Sequence, residues 1–402
     1  MKIQIDEGIY YLNILHSIDD LEFDLTVTKE NAEVLFVRSR DLKNVRLPKT
    51  LVAIGRVGSG VDNIPLDWCN KNGVAVFNAP GTNSNAVKEM VLWALIESAR
   101  HPFQAAGALI KNPSEAGKIK KDFEGQELAG RTILIIGMGA IGSRVAKMCR
   151  ALEINVLAHD PFVKKENRNP DALWIESLVD LESELKKAGG HWPDFITIHC
   201  SLNDQNSGIL NNKFFRAGVK IINFARAELV NETDLLSGLQ TGRVSAYVSD
   251  FLPKKIPMEQ FLETKSCVFL PHLGASTIES QIRAAETVAE KINDFFYHGI
   301  CLESVNFPDM PNEKAENGRK RILVINENTP GIIKKVAEAI STAGLNIGSM
   351  TNRSRSETGI ALNYIDIDVQ PNDNRLSEIC GKINLINGVI KARICAPYNS
   401  IR

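Results

Sequence analysis

The stretch "RTILIIGMGAIGSRVAKMCRAL" (131–152) combines a strand, a glycine turn and a helix. "RTILII" is largely apolar and β-branched, which is typical of a strand buried on both faces. Gly137, Gly139 and Gly142 follow in a G-x-G-x-x-G pattern, and helical spacing begins at once. Alone this pattern means little, but here it follows a strand and opens a helix, as a dinucleotide-binding turn requires. We therefore predict a Rossmann-type βαβ unit.

Each glycine has a physical reason in such a turn. Gly137 permits the tight bend, Gly139 lets the backbone approach a pyrophosphate, and Gly142 lets the helix pack close to the strand. The N–H groups of Ala140 and Ile141 would then face the phosphates at the helix N-terminus. These five residues are the predicted phosphate site.

The next strand, "EINVLAHD" (153–160), ends on Asp160. That residue lies within the roughly 20-residue spacing expected for a carboxylate that binds the ribose hydroxyls. Such a carboxylate repels a 2′-phosphate, so the sequence favours NAD over NADP. The alternative is that Asp160 only caps the turn before Pro161.

The fold class follows from the alternation of strands and helices. Further strands are predicted at 194–200, 219–225, 244–250 and 267–272, and near-continuous apolar strands between helices indicate a parallel sheet covered on both faces. Residues 1–98 repeat the alternation more weakly. We predict an α/β protein with two Rossmann-like doubly wound domains: a substrate-binding domain (1–98 plus 278–306) and an NAD-binding domain (99–277).

The C-terminal part of the sequence has a different pattern of predicted elements. Residues 307–319 have the composition of a linker. Residues 320–402 then alternate in the order βαββαβ, which is a ferredoxin-like layout. We expect a small third domain there.

Composition limits the function classes. The chain has 402 residues, 44% hydrophobic and 24% charged, with a net charge of −1, so neither nucleic acid nor an anionic membrane is an expected partner. No signal peptide or membrane-length apolar run is evident. Seven scattered cysteines without a C-x-x-C pair argue against disulfides and a metal site, and for the cytoplasm.

Three motifs carry a family resemblance: "FEGQELAGRTILIIGMGAIG" (123–142), "NFARAELVNE" (223–232) and "PHLGAST" (271–277). The chain resembles the D-isomer-specific 2-hydroxyacid dehydrogenases over nearly its whole length. The resemblance implies an active site in the cleft between two α/β domains, and family assembly as dimers or tetramers. "FVRSR" (36–40), "GRVGSGVDN" (55–63) and an ACT-like C-terminal domain resemble the members that act on 3-phospho-D-glycerate.

The resemblance also assigns the catalytic pair. Arg226 matches the arginine that holds the substrate carboxylate and polarises its C2 oxygen. His272 matches the general acid/base, a task suited to a pKa near neutrality. Both end apolar stretches at the sheet edge where doubly wound folds bind ligands, which makes a purely structural role less favoured.

Other matching positions are expected to contact cofactor or substrate. Asp250 matches the aspartate that hydrogen-bonds the nicotinamide carboxamide. The remaining cofactor positions are Cys200, Phe224, Ala225, Gly274 and Ala275, besides Arg226 and His272. Substrate positions are Ser59 and Gly60, through backbone N–H groups, and Arg38 and Arg40, which we place on one face of a strand, or alternatively on a solvated edge. Lys120 and Lys121 are weaker candidates, acting across a subunit interface.

The chain departs from the family pattern at three places. Lys255, in "SDFLPKKIPME" (249–259), stands where a glutamate usually pairs with the catalytic histidine. We predict that Lys255 is a third catalytic residue; the alternative is a solvated loop. The other departures are "NFARAE" for N-x-A-R-G-G, and Lys88 for alanine.

The expected function is NAD-dependent oxidation of 3-phospho-D-glycerate, the first step of L-serine biosynthesis. The alternatives are another 2-hydroxyacid dehydrogenase, of the glyoxylate or hydroxypyruvate type, and a non-catalytic NAD-sensing protein of the same fold. In the ACT-like domain, Asn326, Asn328 and Asn346 match positions of a serine site, with Asn326 where a histidine is usual. L-serine is therefore an expected effector; alternatively these asparagines make only turn bonds.

Overall fold

The computed structural model describes residues 1–5, 31–170, 172–216, 218–316, 318–369, 373 and 375–395. The last predicted segment of the third domain, 396–402, lies outside these residues. In chain order the strands are β1 (Ile3–Ile5), β2 (Val34–Val37), β3 (Ala53–Arg56), β4 (Ala75–Asn78), β5 (Thr132–Ile136), β6 (Asn155–His159), β7 (Leu173–Trp174), β8 (Phe195–Ile198), β9 (Val219–Asn223), β10 (Val244–Ser249), β11 (Cys267–Phe269), β12 (Arg319–Glu327), β13 (Asn346–Arg355), β14 (Ile360–Asp368) and β15 (Val389–Cys395).

The α-helices alternate with these strands. They are α1 (Leu66–Lys71), α2 (Ser84–Arg100), α3 (Pro102–Lys111), α4 (Ala116–Asp122), α5 (Ala140–Ala151), α6 (Leu181–Lys187), α7 (Glu232–Gln240), α8 (Met258–Glu263), α9 (Ile278–His298), α10 (Ile332–Thr342) and α11 (Arg375–Asn384). Among the described helices, none is long and apolar enough to cross a membrane.

The chain divides into two compact units, which we call unit 1 (Met1–Thr82 with Ile278–Arg402) and unit 2 (Asn83–Thr277). This division differs from the predicted boundary after residue 98, because α2 shares a core with unit 2. Val87, Val91 and Leu95 of α2 are buried in the same cluster as Ile133 and Ile135 of β5. The C-terminal domain groups with the substrate-binding domain in unit 1.

Unit 2 contains a seven-stranded parallel sheet in the order β11-β10-β9-β8-β5-β6-β7. The six predicted strands are present, and the two-residue β7 is an addition. The strand order reverses at β5, since β6 and β8 lie on opposite sides of it. Doubly wound sheets bind ligands at such a reversal, and the glycine turn follows β5 there.

Unit 1 contains two sheets. The first is parallel, in the order β1-β2-β3-β4. Helix α9 packs on it closely, because Gly55 of β3 has no side chain: a Cβ there would lie 2.5 Å from Val288 and 2.6 Å from Ile292. The returning helix thus completes the domain that the N-terminal segment begins.

The second sheet of unit 1 is antiparallel, in the order β13-β14-β12-β15, which is the predicted ferredoxin-like arrangement. One face packs against α10 and α11 through residues such as Ile322 and Val324. The other face carries Leu323, Ile325 and Tyr364, which share a buried cluster with α9 and the first sheet. The central strands β12 and β14 are therefore buried on both faces, whereas the edge strand β13 is largely exposed.

Candidate active site

The glycine turn after β5 has the shape that a pyrophosphate requires. Gly137 has φ +95°, and a Cβ on it would lie 2.6 Å from the backbone nitrogen of Cys200. A Cβ on Gly142 would lie 1.9 Å from the carbonyl oxygen of Gly137. By contrast, nothing lies within 4 Å of a Cβ built on Gly139. The turn is therefore closely packed at Gly137 and Gly142 and open at Gly139, where a phosphate would approach. These residues fit the cofactor.

Asp160 lies beside this turn and already has two partners. Its Oδ2 accepts the N–H of Met138 at 2.8 Å, and its Oδ1 accepts the N–H of Phe162 at 2.9 Å. The second bond is the turn cap that was the alternative reading. A carboxylate has about four acceptor positions, so each oxygen can still accept a ribose hydroxyl. The ribose contact remains a prediction.

Cys200 follows β8 and packs against the glycine turn. Burial raises the pKa of its thiol, followed by a smaller opposing effect of a backbone hydrogen bond. A neutral thiol is a poor nucleophile, so we assign Cys200 only to the wall of the site. Phe224 and Ala225, after β9, are buried and form part of the same edge of the sheet.

The turn after β9 carries Arg226 and is fixed by Asn223, the last residue of the strand. Asn223 is fully buried; its Nδ2 donates to the carbonyl oxygen of Arg226 at 2.8 Å, and its Oδ1 accepts the N–H of Ala225 at 3.0 Å. The Arg226 guanidinium donates to the Ala225 carbonyl at 2.8 Å and remains half-buried. Sequence reasoning missed Asn223, although a polar residue ending an apolar strand is a visible signal.

His272 follows β11 in a left-handed backbone conformation, with φ +60°. The buried Asp250 stabilises this turn with three bonds: its carbonyl accepts the N–H of His272 (3.2 Å), its Oδ1 that of Leu273 (2.7 Å) and its Oδ2 that of Gly274 (2.7 Å). The ring of Phe251 lies 4.8 Å from the imidazole. Asp250 therefore holds the histidine turn, in addition to its predicted contact with the carboxamide.

The electrostatics of Asp250 follow from this position. Burial raises the pKa of its carboxyl group, while the two backbone N–H donors and the charge of His272 act in the opposite direction. Gly274 fits beside it because it lacks a side chain: a Cβ would lie 2.8 Å from Asp250 Oδ2. Ala275 is the next residue and is half-buried.

The two lysines of "LPKK" have different surroundings. Lys254 forms an ion pair with Glu228, the glutamate of the departure "NFARAE", so the charges of these two side chains neutralise each other. Lys255 is exposed, and its ammonium has no hydrogen bond or ion pair with any described residue. The third departure, Lys88, forms a hydrogen bond within its own helix: its Nζ donates to Asn85 Oδ1 at 2.8 Å.

The predicted substrate residues lie in unit 1 at one edge of its parallel sheet. Ser59 and Gly60 follow β3, and the Ser59 hydroxyl donates to the Ala79 carbonyl at 3.3 Å. Arg38 and Arg40 follow β2. Since β2 and β3 are parallel neighbours, all four residues lie beyond the same strand ends.

One expectation about the two arginines was wrong. They do not share a face of a strand, because β2 ends at Val37. The chain bends there: the Asn63 side chain donates to the carbonyl oxygens of Arg40 (2.7 Å) and Arg38 (3.4 Å). The Arg38 guanidinium donates to Gln281 of α9 at 2.9 Å.

The three candidate effector residues do not meet within one chain. Asn326 is the last residue but one of β12, is buried, and accepts a 2.6 Å bond from Asn363. Asn328 follows it and is exposed. Asn346 begins β13 and donates to Asp368 at 2.6 Å. Strands β12 and β13 both run antiparallel to β14, so the end of one and the start of the other lie at opposite ends of the sheet.

Comparisons with known proteins show which family the chain is similar to. Residues 92–274 match the family model for the D-isomer specific 2-hydroxyacid dehydrogenase, NAD binding domain. The chain is 30% identical to a D-3-phosphoglycerate dehydrogenase of Haemophilus influenzae, covering 86% of this chain and 81% of the relative. It is 32% identical to a protein of the same name from Methanocaldococcus jannaschii, covering 78% and 61% respectively.

A solved structure shows the same fold. The NAD⁺-bound 3-phosphoglycerate dehydrogenase of Entamoeba histolytica matches with a TM-score of 0.59 at 24% identity, covering 77% of this chain and 99% of that one. The chain spans only 52–61% of the length of four of the curated relatives it matches. On this evidence the chain belongs to the family of the D-isomer specific 2-hydroxyacid dehydrogenases.

Proposed function

We propose that this chain oxidises 3-phospho-D-glycerate to 3-phosphohydroxypyruvate with NAD, the step that opens L-serine biosynthesis. The main support is the edge of the unit 2 sheet, where the glycine turn, Arg226 and His272 all follow parallel strands. A cofactor turn, a cation and an acid/base at one sheet edge are the parts that hydride transfer from a 2-hydroxy acid requires.

The side chains divide the reaction between them. His272 in its neutral form accepts the proton of the C2 hydroxyl, and Arg226 binds the substrate carboxylate and stabilises negative charge that develops on the C2 oxygen. The glycine turn after β5 would hold NAD, which would supply the hydride acceptor for C2. Ser59 and Gly60 bind the carboxylate from the substrate-binding domain, and Arg38 and Arg40 supply positive charge for the phosphate.

The test is NADH-coupled turnover with a panel of 2-hydroxy and 2-keto acids, with and without a phosphate group. Turnover of 3-phosphoglycerate or 3-phosphohydroxypyruvate well above that of unphosphorylated acids is the expected result. Preference for glyoxylate or hydroxypyruvate would replace the substrate assignment. Binding of NADH without any turnover would favour the NAD-sensing alternative, which the missing glutamate at position 255 keeps open.

L-serine is the proposed effector of the C-terminal domain. Because Asn328 and Asn346 lie far apart in one chain, a pocket that contains both needs two copies of the chain. Calorimetry with millimolar L-serine should show heat in the parent and less in Asn328→Ala. No heat and no rate change would refute the proposal.

We also propose a homodimer or homotetramer in the cytoplasm. Phe103 and Ile110 on α3 are 61% and 80% exposed, which suits a helix that packs against a second subunit. Lys120 and Lys121 are exposed on the following helix, α4. All seven cysteines are free thiols, in keeping with a reducing compartment. Sedimentation of the parent and of Phe103→Lys would test the subunit contact.

A further inference from the structure

The loop after β10, residues 251–257, lies between the two catalytic turns of unit 2. We call it the lysine loop. At its start the Phe251 ring packs against the His272 ring in a tilted arrangement, with ring centroids 4.8 Å apart. Further along, Lys254 pairs with Glu228, which lies two residues after Arg226 in the 3₁₀ turn Ala227–Leu229. The loop therefore contacts the supports of both catalytic side chains.

A second carboxylate fixes the backbone of the loop. Glu232 is the first residue of α7; its Oε1 accepts the N–H of Lys254 at 2.7 Å, and its Oε2 accepts the N–H groups of Lys255 and Ile256, both at 2.9 Å. Three consecutive N–H groups on one carboxylate define the path of the loop. A cavity of about 10 Å³ is lined in part by Ala227, Glu232 and Pro253.

The charges of this region complete the arrangement. Burial acts to raise the pKa of Glu228, but the ion pair with Lys254 and the charge of Arg226 more than offset it, so the pKa lies below its ordinary value. Glu228 is thus an anion near neutral pH. It offsets part of the positive charge that Arg226, Lys254 and Lys255 bring to this edge of the sheet.

We propose that Glu228 and Glu232 are positioning residues, which fix the lysine loop between the Arg226 turn and His272. The inference rests on the proposed function. In this chain Lys255 stands where a carboxylate would orient the histidine directly. Here the lysine loop supports His272 indirectly. The ring of Phe251 contacts the histidine, and the two glutamates fix the position of the loop.

The expected effect is on catalysis rather than on stability. Half-exposed ion pairs contribute little to the free energy of unfolding. A small displacement of a catalytic group, however, can lower a rate by up to about 100-fold. We expect Glu232→Gln to lower kcat/KM about tenfold, because an amide N–H₂ group would face the backbone N–H groups that the carboxylate accepts. Glu228→Gln should lower it about threefold.

The experiment uses the full chain with three readouts: kcat/KM for the 2-hydroxy acid, KM for NAD, and hydrogen exchange of the amides of residues 254–256. The control is Glu259→Gln, which removes an exposed carboxylate on α8 that bonds to no described residue. The control should stay within twofold in kcat/KM. Glu232→Gln should exchange these amides faster, with KM for NAD within twofold of the parent.

A charge reversal separates positioning from a general loss of structure. Glu228→Lys should lower kcat/KM, and Lys254→Glu in the same chain should restore most of it. Unchanged exchange in Glu232→Gln, faster exchange without a fall in kcat/KM, or no rescue by the reversal would each overturn the proposal. Absence of turnover in the parent would refute the proposed function. Hydrogen exchange needs no substrate, so it would still test whether Glu232 fixes the backbone of the lysine loop.

Discussion

Charged side chains in the two units bind opposite halves of the peptide group. In unit 2 two carboxylates accept N–H groups: Asp250 accepts those of the His272 turn, and Glu232 accepts those of the lysine loop. In unit 1 cations of the C-terminal sheet donate to carbonyl oxygens. Arg393 donates to the carbonyls of Phe295 and Phe296, at 2.7 Å for the latter.

Other cations of the C-terminal sheet do the same. Arg321 donates to the His298 carbonyl at 3.1 Å, and Lys391 donates to the Leu51 carbonyl at 2.6 Å. The last carbonyls of a helix have no partner within it and carry partial negative charge, so cations at the end of α9 are favourable. Carboxylates thus shape the His272 turn and the lysine loop in unit 2, whereas cations hold two layers of unit 1 together. Changes in unit 2 should alter rates, and changes in unit 1 should alter stability.

The largest expected effect is that of His272→Asn. Loss of the general acid/base should lower kcat/KM by about 10²–10⁴-fold. The side chain is exposed, so the melting temperature should stay near that of the parent. Steady-state kinetics and thermal melts check both points. A fully active variant would show that His272 has no catalytic part. A large fall in melting temperature would contradict the expectation that changes in unit 2 alter rates rather than stability.

Arg321→Met is the matching change in unit 1. Arg321 and Asp366 are both almost fully buried and joined at 2.7 and 2.9 Å. Removing the cation leaves the carboxylate buried without its partner, which should lower the free energy of unfolding by about 3–5 kcal/mol. Urea denaturation measures this loss. For protein that remains folded, kcat should lie within twofold of the parent; a tenfold fall would show that the C-terminal sheet also governs the rate.

The two lysines of the loop provide a matched pair. If Lys255 acts on substrate or on His272, Lys255→Met should lower kcat/KM at least tenfold, or about 1.4 kcal/mol. Lys254→Met should have a smaller effect, since it removes only the half-exposed ion pair with Glu228. A Lys255→Met enzyme within twofold of the parent would give that lysine no catalytic part.

Asp160 tests whether one carboxylate in unit 2 can both cap a turn and bind the ribose of the cofactor. The parent should prefer NAD to NADP by at least tenfold in kcat/KM, which corresponds to about 1.4 kcal/mol. Asp160→Ser should reduce the preference. Equal rates with both cofactors in the parent would leave Asp160 as a turn cap only.

Lys391 gives the most specific effect, because the effect is confined to one pH range. Burial lowers the pKa of its ammonium to about 8, with a further contribution from Arg393. The unfolded chain then binds this proton more tightly, so the parent should gain stability relative to Lys391→Met as pH rises from 8 toward 10.5. Chemical denaturation at several pH values measures the difference. A constant difference across this range would contradict a lowered pKa.

Local patterns in the sequence predicted the parts that depend on neighbours along the chain. The strand, glycine turn and helix at 131–152 lie within one stretch, and Arg226 and His272 end apolar runs that are visible by eye. Contacts distant in sequence could not be found in this way. Asn63 bends the chain at Arg40, and Glu232 binds the backbone of Lys254, 22 residues further on.

The C-terminal sheet limits how the chain can be shortened. A truncation before β12 would expose Phe295 and Phe307, which the sheet helps to bury, and would leave the carbonyls at the end of α9 without the guanidinium of Arg393. A two-domain version of this chain therefore needs a replacement surface over α9. Limited proteolysis should release the C-terminal domain only after unit 1 has begun to unfold.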